Sequence, residues 1–148
     1  MFAQHGLYEL KQSGDIIVFK SYGAWNLEAS QDCIAKIKVM ISRRPQHKFA
    51  LLVDSREFEG STPDAFDAWL EAIEFWFENG LACMCRVVDI NSAQHKLFLN
   101  SADDIFRSRI VFDYAADQSS ALAWLHQNGW KGFEDGVANH RLTSNFYS

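Results

Sequence analysis

Residues 49–77 constrain the fold more than any other part of the chain, because they place a buried strand directly before a long apolar helix. Residues 49–53 form a continuous apolar run, which is typical of a strand covered on both faces of a parallel sheet. Asp54 marks the predicted end of this strand, and a charged loop carrying Gly60, Ser61 and Thr62 follows. The stretch therefore predicts an α/β domain whose other elements lie beside a central strand.

The helix after this loop has clear start and stop signals. Thr62 is a candidate cap, Pro63 suits the first helical position, and Asn79-Gly80 is a stop signal. At about 100° per residue, one narrow arc of helix 63–79 is wholly acidic and contains Asp64, Asp67, Glu71, Glu74 and Glu78. The rest, roughly 220° wide, is apolar. A helix that lies on a sheet needs a considerably narrower apolar face.

Three interpretations of this surplus apolar surface stay open. The C-terminal tail or a neighbouring helix covers it, an apolar ligand lies between helix and sheet, or the helix contacts a membrane or a protein. Burying one large apolar side chain stabilises by about 1.5–3 kcal/mol, so some cover over Phe75 or Trp76 is expected. The candidate ligand- or membrane-binding residues are Phe58, Phe66, Trp69, Ile73, Phe75 and Trp76.

The acidic arc limits how such a helix can meet a membrane. Interfacial helices usually carry Lys and Arg opposite their apolar face, to meet anionic lipid. Recruitment by charge alone is therefore disfavoured, and insertion of aromatic side chains remains the open route.

The other elements follow from hydrophobic patterning, turn residues and helix caps. They are a hairpin over residues 7–12 and 16–22, helices over 27–44, 93–99 and 117–128, and strands over 81–88 and 110–112. The predicted fold class is α/β, a mostly parallel sheet with one antiparallel edge strand in the order β-β-α-β-α-β-α-β-α. We expect one domain over residues 1–128.

Residues 129–148 are polar and contain glycine without periodicity. We expect this tail to dock on the domain or on a neighbouring protomer through Trp130, Phe133, Phe146 or Tyr147. A high aromatic content of 14% leaves surface for such contacts and makes a homodimer a candidate state.

Charge and the N-terminal segment exclude several classes of protein. The net charge is -5 and no basic cluster is visible, which argues against a nucleic-acid partner. The first residues lack a basic start followed by an apolar run, and no apolar run reaches the length of a membrane span. The sequence predicts a cytoplasmic protein, with peripheral contact to the inner face of the membrane as the alternative.

The sequence contains no strong catalytic or metal signature. Cys33, Cys83 and Cys85 lie in apolar segments and are interpreted as reduced core thiols, and the five histidines are scattered. Asp54, Asp89 and Asp113 each follow a strand, where a Mg²⁺ site is conceivable, but turn and cap roles are favoured. Ser55 lacks a positioned base and is interpreted as part of an exit turn. We predict no enzyme activity and no cofactor.

Three segments carry a resemblance to a known family: LLVDSREFEG, RVVD and VFDYAADQSSALAWL. Together with the order of elements, they resemble the SpoIIAA-like family of STAS-like bacterial domains over residues 7–128. The resemblance implies a range of non-enzymatic functions, from anti-sigma-factor antagonists to proteins similar in architecture to CRAL-TRIO lipid carriers.

In the antagonists, a serine in an Asp-Ser-Ser-Gly motif ahead of the second helix is phosphorylated, which switches partner binding. The corresponding loop here reads EFEGST, so the motif is absent, and Ser61 or Thr62 is the candidate phosphoacceptor. Nearby acids oppose a phosphate there, and a cap role for Thr62 is favoured. The sequence therefore predicts a binding module for an apolar small molecule, a lipid or a membrane, with a phospho-regulated protein-interaction switch as the alternative.

Overall fold

The computed structural model describes residues 6–44, 47–93 and 95–134. Its strands are β1 (Leu7–Ser13), β2 (Ile16–Trp25), β3 (Phe49–Ser61), β4 (Leu81–Val87) and β5 (Val111–Ala115). Its helices are α1 (Leu27–Ser42), α2 (Pro63–Glu78), a π-helical turn (His95–Leu99), α3 (Asn100–Arg109) and α4 (Gln118–Gln127).

The five strands form one sheet in the order β1-β2-β3-β4-β5. β1 pairs with β2 antiparallel, and the other neighbouring pairs are parallel. The predicted α/β class, with a mostly parallel sheet and one antiparallel edge strand, is confirmed.

The strand order decides where the helices lie. Each parallel crossover steps to the next strand in the same direction, and right-handed crossovers then place their helices on one face. The core on that face joins residues of α1, α2 and α3, whereas a second core on the other face is built around α4. Side chains of β3 alternate between the two, with Leu51 and Val53 in the first core and Ala50 and Leu52 in the second. This explains the continuous apolar run at residues 49–53.

The charged loop expected after Asp54 is instead a strand. β3 continues to Ser61 and pairs with an equally extended β2, up to the pair Trp25 and Ser61. Two register irregularities in β2 accompany this second half. The charged residues and the glycine of residues 55–61 are typical of a loop. However, β4 ends at Val87, so this second half of β3 extends past the part of the sheet that helices cover on both faces. Polar side chains are tolerated there.

The helix expected at residues 93–99 is also longer than predicted. A π-helical turn, His95–Leu99, leads directly into α3, which runs to Arg109. The sequence of α3 is mostly polar, and its buried apolar residues are Ala102 and Phe106, a single i, i+4 pair. Two apolar residues are too few to give the hydrophobic periodicity from which a helix can be predicted.

Neighbouring helices flank the wide apolar arc of α2. Its acids face solvent, and every large apolar side chain on it is buried or half-buried. On the α1 side, the Lys38 ammonium lies 4.8 Å from the centre of the Phe75 ring. On the α3 side, Phe77 packs edge-on against Phe106 at 5.9 Å. The helix thus contacts three surfaces, which explains why one narrow face would not serve.

Part of the predicted tail lies within the described residues. Phe133 is fully buried in the second core, and its backbone N–H donates to Ser13 Oγ at 2.9 Å. The backbone N–H of Asp15 donates to the Lys131 carbonyl at 2.7 Å. Phe146 and Tyr147 lie outside the described residues, and docking of the whole 129–148 segment stays a prediction.

Candidate functional site

A cavity of about 80 Å³ lies between the sheet, α2 and the segment from the π-helical turn to α3. Eight aromatic side chains contribute to its walls, among them Phe19, Trp25, Phe58, Trp69, Trp76 and Phe98. The site is therefore enclosed by rings contributed by strands and helices that are far apart in sequence.

Trp69 is the central ring of this wall. It stacks on Phe19 at 5.6 Å between centroids and meets Trp25 and Trp76 edge-on at 6.0 and 6.2 Å. Its indole N–H donates to Ser30 Oγ at 3.0 Å. Offset and edge contacts of this kind are favourable for aromatic pairs, and the hydrogen bond fixes the orientation of the indole.

Phe98 closes one end of the cavity. It lies on the π-helical turn and meets the Phe58 ring edge-on at 6.2 Å. Its ring sits directly over Gly60, where a Cβ atom would come within 2.7 Å of the ring carbons. Glycine at this position therefore allows the π-helical turn to close over the end of β3. No feature of the sequence pattern pointed to Phe98, because its partner belongs to another element.

Most of the residues predicted for ligand binding line this cavity. They are Phe58, Phe66, Trp69, Ile73 and Trp76. Phe75 does not, because it faces the groove between α1 and α2. A helical wheel could not separate these two sides, since both are apolar. The binding role of these residues stays a prediction.

The two candidate phosphoacceptors lie in different environments. Ser61 lines the cavity from the end of β3, whereas Thr62 is exposed at the N-cap position of α2. Thr62 thus occupies the predicted cap position, but its side chain makes no capping hydrogen bond. Its hydroxyl donates to Asp64 Oδ1 at 2.6 Å, and the same oxygen accepts from the Ala65 N–H at 2.9 Å. Asp64 therefore satisfies a first-turn donor in its place.

Besides Ser61, three polar residues interrupt the apolar lining: Ser21, Ser55 and Arg86. They lie on three adjacent strands, β2, β3 and β4, and Arg86 is next to the last residue of β4. Sequence reasoning missed all three as a group. Each of the three follows an apolar residue by two positions on the same face of its strand. This shared pattern can be recognised only when the alignment of the strands is known.

Arg86 belongs to a buried polar network behind the cavity. Its Nε donates to Asp103 Oδ1 at 2.7 Å, and its Nη1 donates to Ser55 Oγ at 2.8 Å. The other oxygen of Asp103 accepts from the Tyr114 hydroxyl at 3.0 Å and lies 3.2 Å from His95 Nε2. Asp103 is fully buried, so these contacts replace the water that its charge would otherwise require.

We compared this chain with protein families, curated proteins and solved structures. No protein-family model matches the chain, and no curated protein matches its sequence. A solved structure does match: an uncharacterized protein from the DUF3478 family with a SpoIIAA-like fold, from Shewanella loihica PV-4. The two superpose with a TM-score of 0.63 at 16% identity, over 82% of this chain and 94% of the other. The chain has a SpoIIAA-like fold.

The resemblance seen in the sequence is thus confirmed at the level of the SpoIIAA-like fold. Identity this low shows the fold alone, and a fold does not define a function. The similarity to CRAL-TRIO lipid carriers stays a prediction. Among the described residues of this SpoIIAA-like domain, no helix combines the length and apolar character that crossing a bilayer requires.

A second buried carboxylate lies on the opposite face of the SpoIIAA-like sheet. Asp54 accepts from Arg56 Nη2 at 2.8 Å and from Gln118 of α4 at 3.0 Å. Burial acts to raise the pKa of Asp54, but the hydrogen bonds from Arg56 and Gln118 outweigh it and hold the pKa below its ordinary value. Asp54 is thus a structural anion that joins β3 to α4.

Other chemistry-bearing side chains are not brought together. Asp89 accepts from the backbone N–H of Asn91, as turn residues do. The expectation that Asp113 follows its strand is wrong, because Asp113 lies inside β5, where it accepts from the backbone N–H of Tyr114. Over the part of the chain that the structure describes, no three His, Cys, Asp or Glu side chains are grouped to hold a metal ion. Burial raises the pKa of Cys83 to about 11 and that of Cys85 to about 12, so both thiols stay protonated at neutral pH.

Proposed function

We propose that this SpoIIAA-like domain is a non-enzymatic binding module that holds an apolar small molecule in the cavity beneath α2. The observation that carries the proposal is the unfilled space itself, about 80 Å³ lined mainly by aromatic rings. Protein interiors are close-packed, and residual cavity volume destabilises by about 24 cal/mol per Å³. Apolar side chains that line an unfilled space lose contacts, and an apolar ligand would restore them.

The size of the cavity restricts the ligand. An engineered apolar cavity of about 150 Å³ binds benzene, and drug-sized ligands need about 300 Å³ or more. The cavity as it stands holds one small apolar group. A longer ligand, such as a lipid chain, would need the Phe98 ring to move away from Gly60. Phe98 lies on a single π-helical turn, a type of helix that is frequent at functional sites.

A cavity-filling substitution tests this proposal. Ala102 of α3 lines the cavity, so Ala102→Leu is expected to occupy it, stabilise the protein and prevent binding. Ala68→Leu is the matched control, since Ala68 lies on α2 but faces the groove toward α1. We expect native mass spectrometry of gently purified protein to show an apolar molecule on wild type and Ala68→Leu but not on Ala102→Leu. If no apolar molecule co-purifies, and added apolar probes leave tryptophan fluorescence unchanged, the proposal is wrong.

Peripheral membrane contact is the extension of this proposal. Leu97 precedes Phe98 on the π-helical turn and is 75% exposed, so its aliphatic side chain can enter a lipid surface. Flotation with neutral and anionic liposomes tests it, with Leu97→Ser expected to float less. Flotation equal to that of wild type would exclude membrane contact through this turn.

A phospho-regulated interaction switch is the second candidate function. The exposure of Thr62 at the N-terminus of α2 favours it, because a kinase could reach this hydroxyl. Asp64 lies against the hydroxyl, so an added phosphate would repel it and disturb the first turn of α2. A pull-down that compares wild type with Thr62→Glu and Ser61→Ala tests this candidate, which predicts a change in the captured protein. Identical captures would leave the loop without a switching role.

A further inference from the structure

The polar row in the cavity wall is unusual for a core. Ser21, Ser55 and Arg86 are 5%, 7% and 5% exposed, and each lies two residues beyond an apolar residue on the same strand face: Phe19, Val53 and Met84. Side chains two residues apart on a strand point to the same face, so the lining changes from apolar to polar along three neighbouring strands. Burying polar groups is unfavourable without partners, and packing alone would favour apolar residues here.

Charge balance limits what this row can bind. The guanidinium of Arg86 lies 2.7 Å from a fully buried carboxylate, Asp103, so its positive charge is already matched. A ligand carboxylate would add an unmatched negative charge to a largely apolar enclosure, which is strongly unfavourable. The row is therefore suited to an uncharged polar group.

The hydroxyl of Ser55 indicates which group. Its oxygen accepts from Arg86 Nη1 at 2.8 Å, and the side chain makes no second hydrogen bond within the described residues. A serine hydroxyl also has one hydrogen to donate. Arg86 itself carries five N–H donors, more than Asp103 and Ser55 engage. The polar end of the cavity thus has hydrogen-bond donors that no group of the described chain engages.

Building on the proposed function, we infer that the ligand is a small apolar molecule with one uncharged acceptor oxygen, such as a ketone, an ester or an alcohol, which the Ser55 hydroxyl recognises. The apolar part lies against Trp69 and Trp76, and the oxygen points to the polar row. Arg86 acts as a positioning residue, since it holds the Ser55 oxygen and so directs the hydroxyl hydrogen away from itself.

Three probes of similar ring size separate this inference from simple apolar binding: cyclopentanone, methylcyclopentane and cyclopentanecarboxylate. Titrations followed by two-dimensional NMR give affinities for wild type, Ser55→Ala and Ser108→Ala. Ser108 is the control, because its hydroxyl is exposed and bonds to its own helix. We expect Ser55→Ala to weaken cyclopentanone binding about fivefold, the fold-change of one neutral hydrogen bond, and to leave methylcyclopentane binding unchanged.

The outcomes distinguish failure of this inference from failure of the proposed function. Equal cyclopentanone affinity in wild type and Ser55→Ala, with methylcyclopentane still bound, overturns the role of the polar row and leaves apolar binding intact. Tightest binding of the carboxylate overturns the assignment of an uncharged ligand. If wild type binds none of the three probes, the proposed function fails with the inference. Retained methylcyclopentane binding by Ser55→Ala shows that the variant is folded.

Discussion

Asp103 and Asp54 are both fully buried carboxylates on opposite faces of the sheet, and each forms an ion pair with an arginine. Their surroundings differ. The partner of Asp103 is Arg86, itself buried, whereas Arg56 is partly exposed beside Asp54. Removing the partner of Asp103 leaves a charge that water cannot reach, so the two pairs should respond differently to substitution.

Arg86→Met is expected to destabilise the protein by about 3 kcal/mol, because breaking a buried ion pair leaves one charge uncompensated. The double variant Arg86→Met with Asp103→Leu should recover part of this loss, since apolar side chains then replace the whole pair. Urea unfolding of the two variants measures the difference. Arg109→Met, at an exposed ion pair with Glu74, serves as control and should change stability by less than about 1 kcal/mol. A double variant less stable than the single one would contradict this account.

Asp54 gives a pH-dependent prediction. The pKa of Asp54 is lower in the folded than in the unfolded state. Its contribution to the free energy of unfolding is therefore fully present above the unfolded-state pKa, near 3.9, and is lost as the pH falls through the folded-state pKa. Asp54→Asn should therefore lower the free energy of unfolding by about 2 kcal/mol at pH 7 and by much less below about pH 3. Urea midpoints between pH 3 and 7 test this, with exposed Asp67→Asn as control. A pH-independent deficit would show that the carboxylate charge is not the cause.

At the scale of elements, the end of β3 and the π-helical turn are one unit. β3 extends beyond β4, its glycine at position 60 has a φ of +137°, and Phe98 occupies the space above that glycine. The cavity is closed at this end because Gly60 has no side chain, which leaves room for the Phe98 ring to pack against β3. Either change, a shorter strand or a side chain at position 60, would open it.

Gly60→Ala should open the cavity. The new Cβ would lie 2.7 Å from the Phe98 ring, in a backbone region that residues other than glycine rarely adopt. Gly23→Ala is a matched control, because Gly23 also has positive φ (+76°) but a Cβ there meets no atom within 4 Å. Both should lose stability from backbone strain. Only Gly60→Ala should speed amide hydrogen exchange in residues 95–99, and equal exchange in the two variants would show that Phe98 does not depend on Gly60.

Over the whole molecule, the two faces of the sheet are covered by different elements. Three crossover helices and the cavity share one face, while α4 and residues 130–133 cover the other. Phe133 completes this second cover, with Lys131 and Phe133 held to the β1–β2 turn by hydrogen bonds to Asp15 and Ser13. A substitution in the second core is therefore expected to lower stability without altering the cavity on the other face.

Phe133→Ala tests this separation. Removing a fully buried phenylalanine should lower the free energy of unfolding by about 3–5 kcal/mol while leaving probe binding at the cavity unchanged. Leu97→Ala, which truncates an exposed side chain, should change stability little. Thermal unfolding and probe titration below the midpoint measure both quantities. Loss of binding in folded Phe133→Ala would mean that the two faces are coupled.

The element order was predictable from local signals. Asn26 and Asp117 cap α1 and α4 with side-chain hydrogen bonds, and both are residue types that favour the start of a helix. Trp69 and Trp76 of the cavity were also accessible, because a helical wheel depends only on spacing along one element. Such signals need no knowledge of which elements become neighbours.

The sequence by itself therefore determined the mostly parallel sheet, its helices and the aromatic side of the cavity, since each depends on periodicity and capping along the chain. Only the tertiary structure decided the length of β3, the place of Phe98 over Gly60, and the row formed by Ser21, Ser55 and Arg86. The physical reason is that these features come from the lateral alignment of strands and from contacts between distant elements. Whether a charged or polar residue in a strand lies at a site or on the surface cannot be predicted until its neighbours on the adjacent strands are known.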